Sequence, residues 1–321
     1  MPSKTAPAKG RPEGADRPIN QSREAHHPAR PLHSPEGATL RLLHGNARIA
    51  AVACVCDGTP SGMSVRMAPL CQDQPGRSRH ESSYESEDLV KANHYDSFAE
   101  SYSTDNESNL LNGYYERPAM INLAGDVNSH RVLDAGCGSG PLSTALRAKG
   151  AIVTGFDSSS AMVELARQRL GENAALLVAD LSQPLPFADG AFDDVVASLV
   201  LHYLQDWTAP LAELRRVLKP GGRLILSVNH PIIYKLTNPS ADYFAITQYS
   251  EEHTFNGQST VLTYWHRPLH AMTDAFTEAG FRISVISEPP ASPDAPRELF
   301  PPHLGDRTAF LCFIFFVLEA S

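Results

Sequence analysis

From about residue 89 onward, the hydrophobic and polar positions switch between the repeat of a strand and the repeat of a helix. Seven apolar segments have the length of strands: Arg131–Ala135, Ala151–Phe156, Ala174–Ala179, Phe192–Leu199, Arg223–Asn229, Phe281–Glu288 and Phe310–Glu319. Between them, apolar residues recur every three or four positions and predict helices over Pro141–Lys149, Ser160–Leu170, Ala209–Leu218 and Leu269–Ala279. This alternation predicts one α/β domain, residues 89–321, in which helices cover a mainly parallel sheet of seven strands.

Residues 1–88 have a different character. Pro, Arg, Ser, Gly and His dominate this stretch, and no helix or strand repeat persists. Such a composition buries too little apolar surface to offset the entropy lost on ordering. We predict a disordered or low-complexity extension, or an upstream translation artefact, since Met63 and Met67 are alternative starts.

The charge distribution narrows the choice of partners. The net charge is −9, and residues 91–321 hold 16 of the 27 Lys and Arg but 26 of the 36 Asp and Glu. An acidic folded part repels nucleic-acid phosphates and anionic lipids. We expect a small-molecule substrate, with neither nucleic acid nor membrane as partner, and the oligomeric state is left open.

The number of cysteines and the length of the apolar runs indicate the cellular compartment of the protein. The five cysteines are sparse and lack metal-ligand spacing with histidines, so we predict no metal site. No apolar run reaches the length of a membrane span, and the amino terminus lacks the apolar core of a signal peptide. We expect a cytoplasmic protein.

A glycine-rich turn follows the first predicted strand. Asp134 precedes Gly136, Gly138 and Gly140, and glycines allow positive φ angles and close approach of a ligand. A dinucleotide-binding turn has the spacing G-x-G-x-x-G and accepts a pyrophosphate, which a carboxylate at Asp134 would repel. The same carboxylate attracts the cationic amine and sulfonium of S-adenosylmethionine, which we predict as the cofactor.

Polar residues also end the next three strands, at the edge where open α/β sheets bind ligands. Asp157 follows the second strand and can accept hydrogen bonds from both ribose hydroxyls, although capping the next helix is an alternative role. Asp180 and Leu181 end the third strand, where the adenine is expected, and Ser198 ends the fourth.

Several segments resemble a known family: VLDAGCGSG (132–140), GFDSS (155–159), ADL (179–181), FDDVVASLVLHYL (192–204) and LRRVLKPGGRLILSVNHP (214–231). They are similar to the class I S-adenosylmethionine-dependent methyltransferases, in the small-molecule branch called methyltransferase type 11. The resemblance implies a Rossmann-like, doubly wound sheet of order 3-2-1-4-5-7-6 with the last strand antiparallel. It also implies transfer of a methyl group to oxygen, nitrogen or carbon of a small molecule.

The resemblance extends to the start of the domain. Residues 95–102 are similar to the family's leading helix, which covers the cofactor, and Tyr95 or Tyr102 is predicted at the methionine end, with packing as the alternative. Residues 114–118 are expected to line the same cleft, where Arg117 is a candidate partner of the cofactor carboxylate. The predicted cofactor contacts are Tyr95, Asp134, Gly136, Cys137, Gly138, Asp157, Ser158, Asp180, Leu181 and Ser198.

Methyl transfer needs alignment of the acceptor more than a built nucleophile, because the sulfonium is already activated. A general base helps only with a hydroxyl or a protonated amine. His202, just past the fourth strand, is the predicted base, and a packing role is its alternative. His230 after the fifth strand is the second candidate.

Residues 231–267 show little regular repeat and are rich in aromatic side chains. Long connections at the ligand edge are usually functional. We predict a substrate cap for an apolar or aromatic acceptor, with an aromatic patch packed under a loop as the alternative. The predicted substrate contacts are His230, Tyr234, Trp265 and Arg267.

Two other functions fit parts of the pattern. An NAD-dependent oxidoreductase also uses a glycine turn and a distal acid, but Asp134 and the glycine spacing disfavour it. A non-catalytic module that binds S-adenosylmethionine is compatible with the sequence, because methyl transfer requires few dedicated side chains.

Overall fold

The computed structural model describes residues 95–321. The extension predicted for residues 1–88 and the domain start predicted at residue 89 lie outside the described residues. Within residues 95–321, no helix combines the length and the apolar character needed to cross a bilayer.

The elements follow the predicted alternation, with boundaries shifted by a few residues. The helices are α1 Ala99–Ser108, α2 Arg117–Ala124, α3 Pro141–Ala148, α4 Ser160–Leu170, α5 Thr208–Val217, α6 Pro231–Thr237 and α7 Leu269–Glu278. The strands are β1 Arg131–Ala135, β2 Ile152–Asp157, β3 Ala175–Val178, β4 Phe192–Ser198, β5 Leu218–Asn229, β6 Thr247–Phe255, β7 Gln258–His266, β8 Phe281–Ser287 and β9 Phe313–Ala320.

The main sheet has seven strands in the order β3-β2-β1-β4-β5-β9-β8. The five strands from β3 to β5 pair in parallel, whereas β9 runs antiparallel to both β5 and β8. Counted within this sheet, the order is 3-2-1-4-5-7-6, and the predicted fold class and order are confirmed. Asp134 lies at the centre, in register with Gly155 of β2 and Val196 of β4.

Apolar side chains cover both faces of this sheet and form two core clusters. On one face Trp207 stacks on Phe276, which packs edge-on against Phe316. On the other face Phe315 packs with Tyr115. Neighbouring residues of a strand point to opposite faces, so β9 contributes to both clusters and is interior, as its sequence predicts. Each such aromatic side chain contributes about 1.5–3 kcal/mol through burial.

The structure corrects the expectation of one sheet and an irregular connection over residues 231–267. This segment contains α6 and a second, two-stranded antiparallel sheet formed by β6 and β7. The turn is Asn256-Gly257, with φ of 45° and 81°, the conformation that an Asn-Gly hairpin turn requires. The irregular aromatic pattern obscured this signal, which was present in the sequence.

Candidate functional site

A cleft of about 180 Å³ opens at the carboxyl ends of β1, β2 and β4, beneath residues 95–117. Ligands of open α/β sheets bind at this edge. All ten residues predicted to contact the cofactor line this cleft. The structure therefore brings these ten residues together.

The glycine turn forms the floor of this cleft. Gly136 has a φ of 71°, and a Cβ there would meet Cγ2 of Val200 at 2.4 Å. Gly138 has a φ of 52°, and nothing lies within 4 Å of the position where its Cβ would be. The first glycine is required for packing, whereas the second leaves space over the turn that a ligand can occupy.

Asp134 is 1 % exposed and has one hydrogen-bonding partner on one oxygen only. The Ser143 hydroxyl donates to Oδ2 over 2.6 Å, whereas Oδ1 is buried without a partner. Burial raises the pKa of Asp134 to about 7, and the charges of Glu116 and Asp157 add to this increase. Burying a carboxylate oxygen without a hydrogen-bond donor costs free energy. A cationic ligand would supply both a donor and a positive charge.

Asp157 connects the glycine turn to the segment that precedes α4. Its Oδ2 accepts the backbone N–H of Gly138, and its Oδ1 accepts that of Ser159, both over 2.9 Å. Burial raises the pKa of Asp157, and these backbone hydrogen bonds oppose the increase. The carboxylate thus holds the glycine turn against the start of α4 while it also lines the cleft.

The far end of the cleft lies after β3. Asp180 is exposed, and its Oδ1 accepts the backbone N–H of Ser182 over 2.8 Å. Leu181 is buried and lines the same end. The carboxylate of Asp180 can accept a hydrogen bond from an exocyclic amine. The apolar side chain of Leu181 can pack against the ring that carries this amine.

Glu116 is a second buried carboxylate of the cleft, which the sequence placed there only as part of residues 114–118. Its Oε1 accepts the hydroxyls of Ser198 over 2.7 Å and Ser227 over 2.6 Å. Burial raises the pKa of Glu116. Glu116 ends a π-helical turn, Asn112–Glu116, a feature often found at functional sites and invisible in the sequence pattern.

The other residues of that segment divide between the cleft and the core. Arg117 lines the cleft and donates from Nη2 to the backbone and side-chain oxygens of Asn106. Tyr114 and Tyr115 do not line it, and Tyr115 instead donates to the Phe313 carbonyl in the core, over 3.3 Å. The prediction for this segment is therefore wrong for both tyrosines and for Pro118, which does not line the cleft either.

A second cavity, of about 80 Å³, adjoins the cleft and lies under the β6–β7 hairpin. Both spaces share the same boundary residues: Tyr95, Tyr102, Asn112, Leu199 and Tyr203. The Tyr95 and Tyr203 hydroxyls are 2.5 Å apart. Leu199 has a φ of 54°, a strained conformation for a residue with a side chain, and such strain concentrates at functional sites.

His202 lies in this second cavity and does not line the cleft. It is 4 % exposed, its Nδ1 accepts the backbone N–H of Asn229 over 3.1 Å, and its Nε2 has no partner. Burial lowers the pKa of His202 to about 3. The imidazole is therefore neutral near pH 7.

None of the four predicted substrate residues lines either cavity. His230 caps α6, where its Nδ1 accepts the backbone N–H of Ile232 and its Nε2 lies 2.6 Å from Glu288. Tyr234 stacks on His266. Both side chains thus have partners within the described protein, and their role as substrate contacts stays a prediction.

The other two predicted contacts belong to the hairpin and the chain after it. Trp265 alternates along β7 with the buried Tyr264 and His266, and so lies on the opposite face of the hairpin. Arg267 stacks 4.6 Å from the ring centre of Trp207 and donates to the Gln205 carbonyl over 2.6 Å. Its guanidinium thus packs inside the protein with Nε left without a partner, and Arg267 lines neither cavity.

Comparison with known proteins agrees with this geometry. The Methyltransferase domain family matches residues 133–226, which include most of β1, the glycine turn and most of β5. Over 115 residues the chain is 42% identical to a malonyl-[acyl-carrier protein] O-methyltransferase of Serratia marcescens, covering 35% of this chain and 44% of that protein. Over 111 residues it is 40% identical to a demethylmenaquinone methyltransferase of Clavibacter sepedonicus, covering 34% and 45%. The chain thus spans less than half the length of these two relatives.

A solved structure supports the fold. A Listeria monocytogenes protein assigned to the S-adenosylmethionine-dependent methyltransferases superimposes with a TM-score of 0.54 at 21% identity, over 64% of this chain and 96% of that one. Residues 133–226 therefore match the Methyltransferase domain family, and the seven-stranded sheet shares its fold with this Listeria monocytogenes protein.

Proposed function

We propose that this chain transfers the methyl group of S-adenosylmethionine to a small organic molecule. The observation that carries the proposal is the buried Oδ1 of Asp134, which has no partner and lies in a cleft at the carboxyl ends of the central strands. The cleft holds a glycine turn with open space above Gly138, acids at three strand ends and no compensating cation beside Asp134 in the described chain.

The residues fit the cofactor at its cationic end. Asp134 and Glu116 are the two buried carboxylates of the cleft, and both have pKa values raised by burial. An ammonium or sulfonium group nearby would favour their charged forms. We assign the amine of the methionine moiety to Asp134 and leave Ser198 and Glu116 as a hydrogen-bonded pair beside it.

The nucleoside end is assigned to the residues after β2 and β3. Asp157 and Ser158 are proposed to bind the ribose, and Asp180 with Leu181 the adenine. Bound S-adenosylmethionine supplies a methyl group that is already activated for transfer. The protein therefore has to orient the acceptor and exclude water, and Tyr95, Tyr102 and Tyr203 between the two cavities are placed to do both.

The second cavity is proposed as the acceptor site. It adjoins the cleft through shared side chains, and its walls are mainly aromatic. The two relatives are named for methyl transfer to a quinone precursor and to a malonyl group on a carrier protein. The parts of these relatives that match this chain belong to one kind of domain, but the two relatives are named for different acceptors. The cavity of this chain is therefore a better guide to its acceptor than the names of the relatives.

The extent of the domain and its compartment are also proposals. We assign residues 89–321 to the methyltransferase domain, with residues 231–267 as the substrate cap, and residues 1–88 to an extension. Limited proteolysis of the full chain tests this boundary, since a stable fragment that began well before residue 89 would contradict it. The sparse cysteines support a cytoplasmic location.

Two experiments test the activity. Calorimetry with S-adenosylmethionine and with NAD should show binding of the first only, whereas NAD binding alone would favour an oxidoreductase. Incubation with methyl-labelled S-adenosylmethionine and a pooled metabolite extract should then label a small molecule. Cofactor binding without any labelled acceptor, in extracts from several sources, would favour a non-catalytic binding module.

A further inference from the structure

The hydrogen bond from the Asn229 backbone to His202 fixes which ring nitrogen carries the proton. A backbone N–H can only donate, so Nδ1 must accept and is unprotonated. In a neutral imidazole the proton then sits on Nε2. This Nε2–H is buried and has no partner, and His202 is one of the side chains that line the second cavity.

We propose that His202 holds the methyl acceptor by donating a hydrogen bond from Nε2 to an oxygen atom of an uncharged, flat ring compound. This inference rests on the proposed function and replaces the sequence-based assignment of His202 as a general base. Nε2 carries a proton and Nδ1 is occupied, so neither nitrogen is available to accept a proton from the acceptor.

Aromatic walls define the shape of the acceptor. His202 contacts Tyr203 and Tyr264 edge-on, with ring centres 4.6 and 5.2 Å apart. Tyr203 and Tyr264 stack with ring centres 5.3 Å apart, and Phe255 and Leu262 add further apolar surface. Stacked and edge-on aromatic side chains bind flat rings well.

The charges around the cavity explain why an uncharged acceptor is favoured. Neither Lys nor Arg is among the side chains that line the cavity, so an anionic acceptor finds no counter-ion there. The one acidic side chain is Glu251, and burial raises its pKa. His253 also lines the cavity, with its Nε2 3.7 Å from Glu251 Oε2 and 3.0 Å from the Tyr264 hydroxyl. An anionic ligand would therefore lose hydration without compensation, whereas an uncharged acceptor would not.

The test uses a matched set of probes on the wild-type chain saturated with S-adenosylhomocysteine. Nitrogen NMR of labelled histidine should show a protonated Nε2 and an unprotonated Nδ1 for His202. Of the probes 1-naphthol, naphthalene and 1-naphthoate, 1-naphthol should bind roughly tenfold more tightly than the other two. It should also shift the Nε2 signal.

Two variants separate the donor from the rest of the ring. His202→Gln keeps an N–H donor near the position of Nε2, whereas the shorter side chain of His202→Asn keeps an acceptor for the Asn229 N–H but places no donor near the position of Nε2. The Gln variant should retain the preference for 1-naphthol over naphthalene, and the Asn variant should lose it. Equal loss in both variants would overturn the assignment.

The remaining outcomes are also decisive. A proton on Nδ1, tighter binding of 1-naphthoate, or no response of His202 to any probe overturns the inference while S-adenosylhomocysteine still binds. Absence of S-adenosylhomocysteine binding in calorimetry instead contradicts the proposed function. The proton position on His202 is measured independently of both variants, so a variant that fails to fold does not remove the test.

Discussion

The Ser143 hydroxyl donates to Oδ2 of Asp134 over 2.6 Å, and the other oxygen of this buried carboxylate has no partner. Burial has raised the pKa of Asp134 to about 7 from an ordinary value of 3.8. The folded chain without cofactor therefore holds this proton more tightly than the unfolded chain. On this account Asp134 makes the free protein less stable as the pH rises from about 4 to 7.

Cofactor binding should reverse this preference, because the cationic amine favours the carboxylate. At pH 6 we expect binding of S-adenosylhomocysteine to release protons, measured by calorimetry in buffers of different ionisation enthalpy. Asp134→Asn should bind roughly 10- to 100-fold more weakly, since a charge-assisted hydrogen bond is lost, and should release fewer protons. Glu116 and Asp157 line the same cleft and should account for the protons that Asp134→Asn still releases.

Ser143→Ala is the matched control for this prediction. It removes the donor to Oδ2 but keeps the carboxylate, so its affinity should stay within a few fold of the wild type. Wild-type affinity and proton release in Asp134→Asn would show that the cofactor amine binds elsewhere.

Asp157 should matter for both the cofactor and the glycine turn. Asp157→Ala removes the acceptor of the Gly138 and Ser159 N–H groups together with the proposed ribose contact. We expect affinity for S-adenosylhomocysteine to fall at least about tenfold, because each charge-assisted hydrogen bond contributes about 1.5–3 kcal/mol. Asp157→Asn keeps one oxygen acceptor and should lose less. An unchanged dissociation constant in the Ala variant refutes the ribose assignment.

The sequence predicted the main sheet and the grouping of ten residues around the cleft because both depend on local patterns. Strand and helix repeats are visible along the chain, and Asp134, Asp157 and Asp180 each stand at a strand end that the sheet order brings to one edge. Parallel strands align their carboxyl ends, so the position of such a residue follows from the topology.

The acceptor side was less predictable, because its residues come together only through tertiary packing. Arg267 and Trp265 looked like ligand contacts because they are large and polar or aromatic, yet Arg267 stacks on Trp207, sixty positions earlier in the chain. The π-helical turn that turns Glu116 into the cleft leaves no periodic signal. The Asn256-Gly257 turn did leave a signal in the sequence, and this signal predicts the hairpin that lies over the second cavity.

The hairpin should control how firmly residues 95–108 cover the two cavities. Phe98 stacks on Phe255 with ring centres 5.9 Å apart, and Gln258 donates to the Ser97 carbonyl. Phe255→Leu removes the stacking, so residues 95–108 should exchange amide hydrogens faster and S-adenosylhomocysteine should dissociate faster. The control is Val261→Ala on the 59 % exposed side chain of the same hairpin. Equal exchange rates in both variants and the wild type would contradict this covering role.

His202 should make stability depend on pH in a defined direction. Its pKa is lowered by burial to about 3 from 6.5, so between these values the unfolded chain binds the proton and the folded chain does not. This contribution to stability is complete above about pH 6.5 and declines as the pH falls. Denaturation at pH 7 and pH 5 should show a larger loss for the wild type than for His202→Gln. A loss of equal size would mean that His202 is protonated in the folded chain.

Arg267 provides a test that separates packing from ligand binding. Arg267 is 8 % exposed, and its guanidinium lies over Trp207 and donates to the Gln205 carbonyl. A lysine cannot make both contacts at once. Arg267→Lys should therefore lower the free energy of unfolding by about 1–2 kcal/mol. The same change at Arg131, an exposed residue 5.9 Å from the Phe192 ring centre, is the control and should cost about 0.5 kcal/mol or less. Affinity for S-adenosylhomocysteine and for 1-naphthol should be unchanged in both variants, because Arg267 lines neither cavity. Unaltered stability combined with weaker binding of an anionic acceptor would restore Arg267 as a substrate contact.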